Sequence, residues 1–359
     1  MLYRESLEND SIDLLKISAD RLNVKIKNPD KNEMVKEIEE AFLKKKNIEE
    51  RLLILDDDTF SLWEKAAEGP VVYNVEKDKG DQWLLSVLDL CNSKVIERRG
   101  VFFATKMEVE TYSDVWMIYK NKIAGDEFNR KRKRSSWVWK CLEWANWMYV
   151  YTPINVLHKL VNVKKNSRYT KKELYSIVKS FPTTLPRCKF QFFEKEDVII
   201  FDEKAPWDEV NTLGTIMNRQ GVMSYYIPEI EELEEYVENK AILSGEPYQA
   251  ILKYMLSDLG LDADAGYGIL SFLWQTISRE GFNPERLFFR LSVAYDVDVY
   301  NESSINKWFD MYYSAWKVTN TCYYRGFSPQ KLFDEQAKSI MQEGIFEYPD
   351  NLPYTRWYS

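Results

Sequence analysis

The sequence predicts a mainly α-helical chain with small β-hairpins, an α+β fold spread over several compact regions. Three observations lead there. Helix-start and helix-stop signals recur along most of the 359 residues. Two helices followed by a hairpin pattern occur twice, near residues 52–107 and 152–203. The same corner is also written twice, as GFNPERLF from Gly281 and GFSPQKLF from Gly326.

Residues 1–50 read as a small helical module. SIDLLKISADRLNV sets Leu14, Leu15, Leu22 and Val24 on one side. The linker KIKNPD leads to KNEMVKEIEEAFLKKK, where Asp30 and Glu33 suit a capping box. Met34, Ile38 and Phe42 then form an apolar stripe with a spacing of four.

Residues 51–123 continue with helix, link, helix and hairpin. TFSLWEKAAEG is a short helix with a glycine stop, capped by the DDD at 56–58. GDQWLLSVLDLCNS follows as a helix, and KVIERRGVFFATKMEV as a hairpin near 95–107. The order returns in residues 124–206, behind a Trp-rich helix NRKRKRSSWVWKCLEWANWMYV that is apolar nearly all round and so sandwiched between neighbours. TPINVLHKLVNV is a helix begun by Pro153. YTKKELYSIVKSF is capped by Thr170 with Glu173 three residues on, and RCKFQFFEKEDVIIFDE turns near Lys195 and Glu196 as a hairpin at 188–202. Two helices and a hairpin is the winged-helix order, so two winged-helix-like units are expected.

Residues 224–345 read as a helical domain, followed by a tail at 346–359. YIPEIEELEEYVENK is an acidic helix with Ile230, Leu233 and Val237 as its stripe. Further helices are expected near 247–259, 264–279, 284–294, 303–320 and 329–342. In the two corners Gly281 and Gly326 suit a positive φ past a helix end. Asn283 and Ser328 are N-caps, and Pro284 and Pro329 take the first helical position. Phe282 and Phe327 are placed to staple onto Leu287 and Leu332. The 45-residue spacing fits either a corner used twice or a duplicated helical unit.

Charge is unevenly spread. The chain carries a net −8, yet residues 120–189 hold 17 Lys and Arg against four acids, a net +13. Residues 54–100 carry −4 and residues 158–190 carry +8, so of the two winged-helix-like units the second is the one to touch nucleic acid. The expected contacts are Arg130, Lys131, Arg132, Lys133, Arg134, Lys164, Lys165, Arg168, Lys171, Lys172, Arg187 and Lys189. Lys171 and Lys172 open the second helix and would approach base edges, while the others hold phosphates.

No catalytic set emerges, and an enzyme is not expected. His158 is the sole histidine and sits in an ordinary helical pattern, so a Ser/His/Asp or Cys/His arrangement has no support. Neither GxxxxGK[ST] nor GxGxxG occurs. DADAG at 262–266 lacks the closing Glu of a calcium loop and reads as a helix start at Asp262. Cys91, Cys141, Cys188 and Cys322 are too dispersed for zinc and read as reduced thiols of a cytoplasmic protein. No metal and no cofactor are expected. No run of about 18 apolar residues points to a membrane.

SYYIPEIEELEEYV, LSDLGLDAD, REGFNPERLF, NTCYYRGFSPQKLF and MYVYTPINVLHKLV together resemble a group of uncharacterised bacterial proteins. Those have a Rho-N-like or SAP-like N-terminal module and a helical C-terminal half, and often end in a zinc-binding SEC-C motif. The resemblance covers about residues 11–335 and implies the architecture above, including a SAP/Rho-N-like start. PYTRWYS supplies no metal ligands, so no zinc role carries over. The sequence therefore points to a non-enzymatic nucleic-acid-binding or regulatory protein with DNA or RNA as partner. The alternative is a protein–protein interaction adaptor with an acidic helical docking surface.

Overall fold

A computed structural model describes residues 1–22, 24–74, 87, 90–91, 95–99, 106–164, 168–181, 190–201, 216, 218, 220–295, 297, 299 and 304–343. It is mainly helical, with two small antiparallel sheets of three strands each among the described residues. The chain forms two compact units, Met1–Thr215 with Ile227–Lys240, and Ile216–Tyr226 with Ala241–Ser359.

The first unit begins with four helices, α1 (Tyr3–Asn9), α2 (Ile12–Arg21), α3 (Lys31–Phe42) and α4 (Lys45–Leu52). Ser11 caps α2 by accepting from the Leu14 amide, and Asp30 caps α3 by accepting from those of Asn32 and Glu33. Met34, Val35, Ile38 and Phe42 are buried along α3. Phe42 stacks on Tyr3 at 4.2 Å. Helix α5 (Asp57–Glu68) follows, capped by Asp56 and stopped at Gly69.

The first sheet holds β1 (Val71–Asn74), β2 (Ile96–Arg99) and β3 (Lys106–Thr111) in the order β1–β3–β2. The expected hairpin near 95–107 is thus strands β2 and β3, with β1 added as a third strand. VVYN is too short to show a period of two, and its partner lies over 30 residues away. Trp63 is fully buried beneath this sheet and donates its indole N–H to the Val95 carbonyl at 3.2 Å. Most of the helix expected over GDQWLLSVLDLCNS lies outside the described residues.

Helix α6 (Ser113–Lys122) leads to the long α7 (Asp126–Met148). Beyond Arg134, α7 is buried on nearly every side through Trp137, Val138, Trp139, Cys141, Leu142, Trp144, Ala145 and Met148. Strand β4 (Tyr151–Pro153), α8 (Ile154–Val161), α9 (Lys171–Ser180), β5 (Phe190–Phe193) and β6 (Val198–Phe201) complete this part. Their sheet has the order β4–β6–β5. Pro153 ends a strand as well as preceding a helix, which the sequence pattern did not separate. Helix α10 (Ile230–Asn239) belongs to the first unit although its sequence neighbours on both sides belong to the second.

The second unit contains α11 (Glu246–Ser257), α12 (Ala263–Glu280), α13 (Pro284–Tyr295), α14 (Ile305–Val318) and α15 (Pro329–Glu343). Trp274, Trp308, Tyr248 and Tyr312 are fully buried in its core. Asp262 caps α12, as its helix-start pattern predicts. Both corners form, with Gly281 at φ 71° and Gly326 at φ 84°. Asn283 accepts from the Arg286 amide and Ser328 from the Lys331 amide. The surroundings differ. Phe282 stacks on Tyr312 at 5.0 Å, whereas Phe327 meets Tyr226 at 5.2 Å. Tyr312 locks the first corner by donating to the Gly281 carbonyl and accepting from the Asn283 amide, both at 2.9 Å. Gly281 follows an α-helix, but Gly326 follows a 3₁₀ turn at Cys322–Tyr324. The tail at 346–359 lies outside the described residues.

Candidate nucleic-acid interface

The basic run enters α7 at Arg130, and helical geometry splits it at once. Positions three and four apart share a face, so five consecutive cations point in different directions. Arg132 points inward and is 5% exposed. It donates to the Leu55 carbonyl at 3.0 Å and to Asp57 at 2.5 Å, with its guanidinium 4.3 Å from the centre of the Phe60 ring. The expectation that Arg132 contacts nucleic acid is therefore corrected: it ties α7 to the start of α5. Lys133 lies 3.9 Å from Asp57, and Lys131 pairs with Glu127 at 3.0 Å.

Arg134 organises the face that remains. Its guanidinium lies 4.0 Å over the Tyr169 ring and donates to the Arg168 carbonyl and to Glu173. Tyr169 returns its hydroxyl to the Arg134 carbonyl at 3.1 Å. Asn162 fixes the approach to α9, accepting from the Tyr169 amide at 2.8 Å and donating to the carbonyls of His158 and Tyr169. His158 donates Nε2–H to that same Tyr169 carbonyl at 2.8 Å, which gives the sole histidine a bracing role. Neither Asn162 nor Tyr169 stood out in the sequence. The available signal was an aromatic residue placed directly before a cap.

Thr170 and Glu173 form a reciprocal capping box at the start of α9. The amide bond from Thr170 is the main reason that the Glu173 carboxyl is held below its usual range, with Arg134 adding to it. Arg168, Lys171 and Lys172 are exposed around this start, and Arg130 is exposed one turn before Arg134 on α7. Among the described residues, none of these four cations has a carboxylate within 4.0 Å. Lysines at a helix N-terminus are unfavourable to the helix dipole, whereas an anion there is favourable.

Elsewhere the face is countered. Lys179 pairs with Glu194 at 2.8 Å, and Tyr175 donates its hydroxyl to Asp197. The β5–β6 turn, Glu194–Lys195–Glu196–Asp197, is acidic and repels phosphate. Lys164 sits 5.0 Å from the centre of the Trp137 ring and pairs with Glu234 of α10 at 3.3 Å. Lys165, Arg187 and Lys189 lie outside the described residues.

The other motifs have structural partners. Asp56 caps α5 by accepting from the Thr59 amide at 2.7 Å and pairs with Lys140 at 3.2 Å. Burial opposes its ionisation, but Lys140 and the Thr59 amide outweigh that and hold its carboxyl below the usual range. Burial pushes the Cys141 thiol well above its usual range. Among the described residues no group of three or more His, Cys, Asp or Glu is placed to hold a metal. Nor is any described helix long and apolar enough to cross a membrane. No protein-family model matches the chain, and searches of curated proteins and of solved structures return no match.

Proposed function

We propose that the protein binds nucleic acid through the start of α9, with α7 to β6 acting as a winged-helix-like unit. The observation that carries this reading is the set Arg130, Arg168, Lys171 and Lys172, exposed and, among the described residues, without a carboxylate within 4.0 Å around a capped helix start. The element order helix, strand, helix, helix, strand, strand with sheet order β4–β6–β5 supports the winged-helix-like frame. In such a frame the second helix of the adjacent pair, here α9, presents its N-terminal residues to the groove. Lysine and arginine contacts to phosphate release counterions, so affinity falls steeply with salt.

The experiment is a gel-shift series at low salt with duplex DNA and with RNA. Retardation that weakens with salt is expected, and Lys171→Gln with Lys172→Gln lowers affinity about tenfold and relaxes sequence preference. No retardation of either nucleic acid at micromolar protein sinks the reading. An adaptor role has its own support in the second unit, where Phe289 and Val293 are 60% and 71% exposed one turn apart on α13. That role predicts a protein complex lost on Phe289→Ser and indifferent to Lys171→Gln.

A further inference from the structure

We propose that α10 is an electrostatic brake on the basic face: its Glu234 occupies Lys164 and competes with phosphate for it. This rests on the nucleic-acid reading above and adds its regulation. Helix α10 carries Glu231, Glu232, Glu234, Glu235 and Glu238 and has no basic residue between Ile230 and Asn239. It is seated on α7 by apolar contact as well as by charge. Leu233 and Tyr236 are buried, and Tyr236 meets Trp144 edge-on at 5.1 Å. Just past the helix, Lys240 pairs with Glu143 of α7 at 2.8 Å.

The seat leaves an opening of about 430 Å³. Its lining includes Lys133, Lys140, Lys164 and Trp137 together with the carboxylates of Asp56 to Asp58, Glu234 and Glu238. Each lysine is already held by a carboxylate, Lys133 by Asp57, Lys140 by Asp56 and Lys164 by Glu234. Asp56 and Asp57 are fixed at the start of α5, but Glu234 comes from a helix whose flanking chain belongs to the second unit. The Lys164–Glu234 pair is also nearly half exposed on both partners, at 45% and 47%. A pair so exposed is weak and exchanges readily with a competing anion. The buried Leu233 and Tyr236 keep α10 in place while the exchange occurs, so the brake is released at the ion pair and the helix stays folded.

Fluorescence anisotropy with a labelled duplex, titrated across salt, tests this on the full chain. Glu234→Gln with Glu238→Gln should tighten binding about three- to tenfold at low salt and steepen the salt slope by about one, the signature of one added phosphate contact. Adding Lys164→Gln should abolish the gain. The brake is overturned if the wild type binds and the double variant binds no tighter, because nucleic-acid binding then stands without it. It is overturned equally if the gain survives Lys164→Gln, since the effect is then one of net charge. If neither wild type nor double variant binds, the nucleic-acid reading falls and the brake with it. Should the double variant show a lowered urea midpoint, Glu234→Gln alone carries the same comparison.

Discussion

Strands β1 to β3 run in the order β1–β3–β2, and β4 to β6 in the order β4–β6–β5, each set fully antiparallel. Each part also holds a fully buried tryptophan, Trp63 on α5 and Trp144 on α7. Yet residues 54–100 carry a net −4, and residues 158–190 a net +8. One sheet order thus tolerates either sign of charge, so the frame does not require the lysines around α9. Surface charge contributes little to a fold of this kind, and its bias speaks to partners instead. The difference also has a seam. Arg132 leaves the basic run to bind the Leu55 carbonyl and Asp57, so one cation of the second part helps build the first.

The largest effect tests the shared frame. Trp63→Ala and Trp144→Ala each remove a fully buried indole and should each cost about 3–5 kcal/mol in urea unfolding. A loss below about 1 kcal/mol at either site breaks the likeness between the two parts. Next comes the seam. Arg132→Ala removes two hydrogen bonds and the contact with Phe60 and should cost about 2–3 kcal/mol. Nucleic-acid affinity of the folded variant should match the wild type, because this residue faces inward. A fall in affinity with unchanged stability would return Arg132 to the interface.

Smaller is the reciprocal cap at the start of α9. Thr170→Ala should cost about 1 kcal/mol, read from the urea midpoint. Smallest is the acid dependence. Asp56 and Glu173 both have carboxyls held below their usual range in the folded protein. Their stabilisation is complete above the ordinary carboxylate range, near pH 4, and is lost as pH falls through the lowered folded values. Glu50 and Glu64 run the other way, since burial pushes their carboxyls up and they favour the folded state less as pH rises past that range. Thr170→Ala should therefore make the acid-side loss shallower, measured as the urea midpoint between pH 5 and about pH 3. An unchanged acid limb would mean that Glu173 draws its ionisation from elsewhere.

The sequence by itself determined many of the helix starts, although α1, α4 and α6 were not anticipated from it. Asp30, Asp56, Thr170, Asp262, Asn283 and Ser328 all cap where the local pattern places them. Capping is a transaction between residues within four positions of each other, so it is written in neighbouring letters. The hairpins β2–β3 and β5–β6 were legible for the same reason, their partners being close in the chain. Strands β1 and β4 were not, because each is short and its partner is remote. Tertiary structure alone decided which cations remain available. A run of charges gives a sum, but burial of Arg132, bracing of Arg134 on Tyr169 and capture of Lys164 by Glu234 depend on elements tens of residues away. Pairing across such distances is set by packing of the helices, and charge counting along the chain does not contain it.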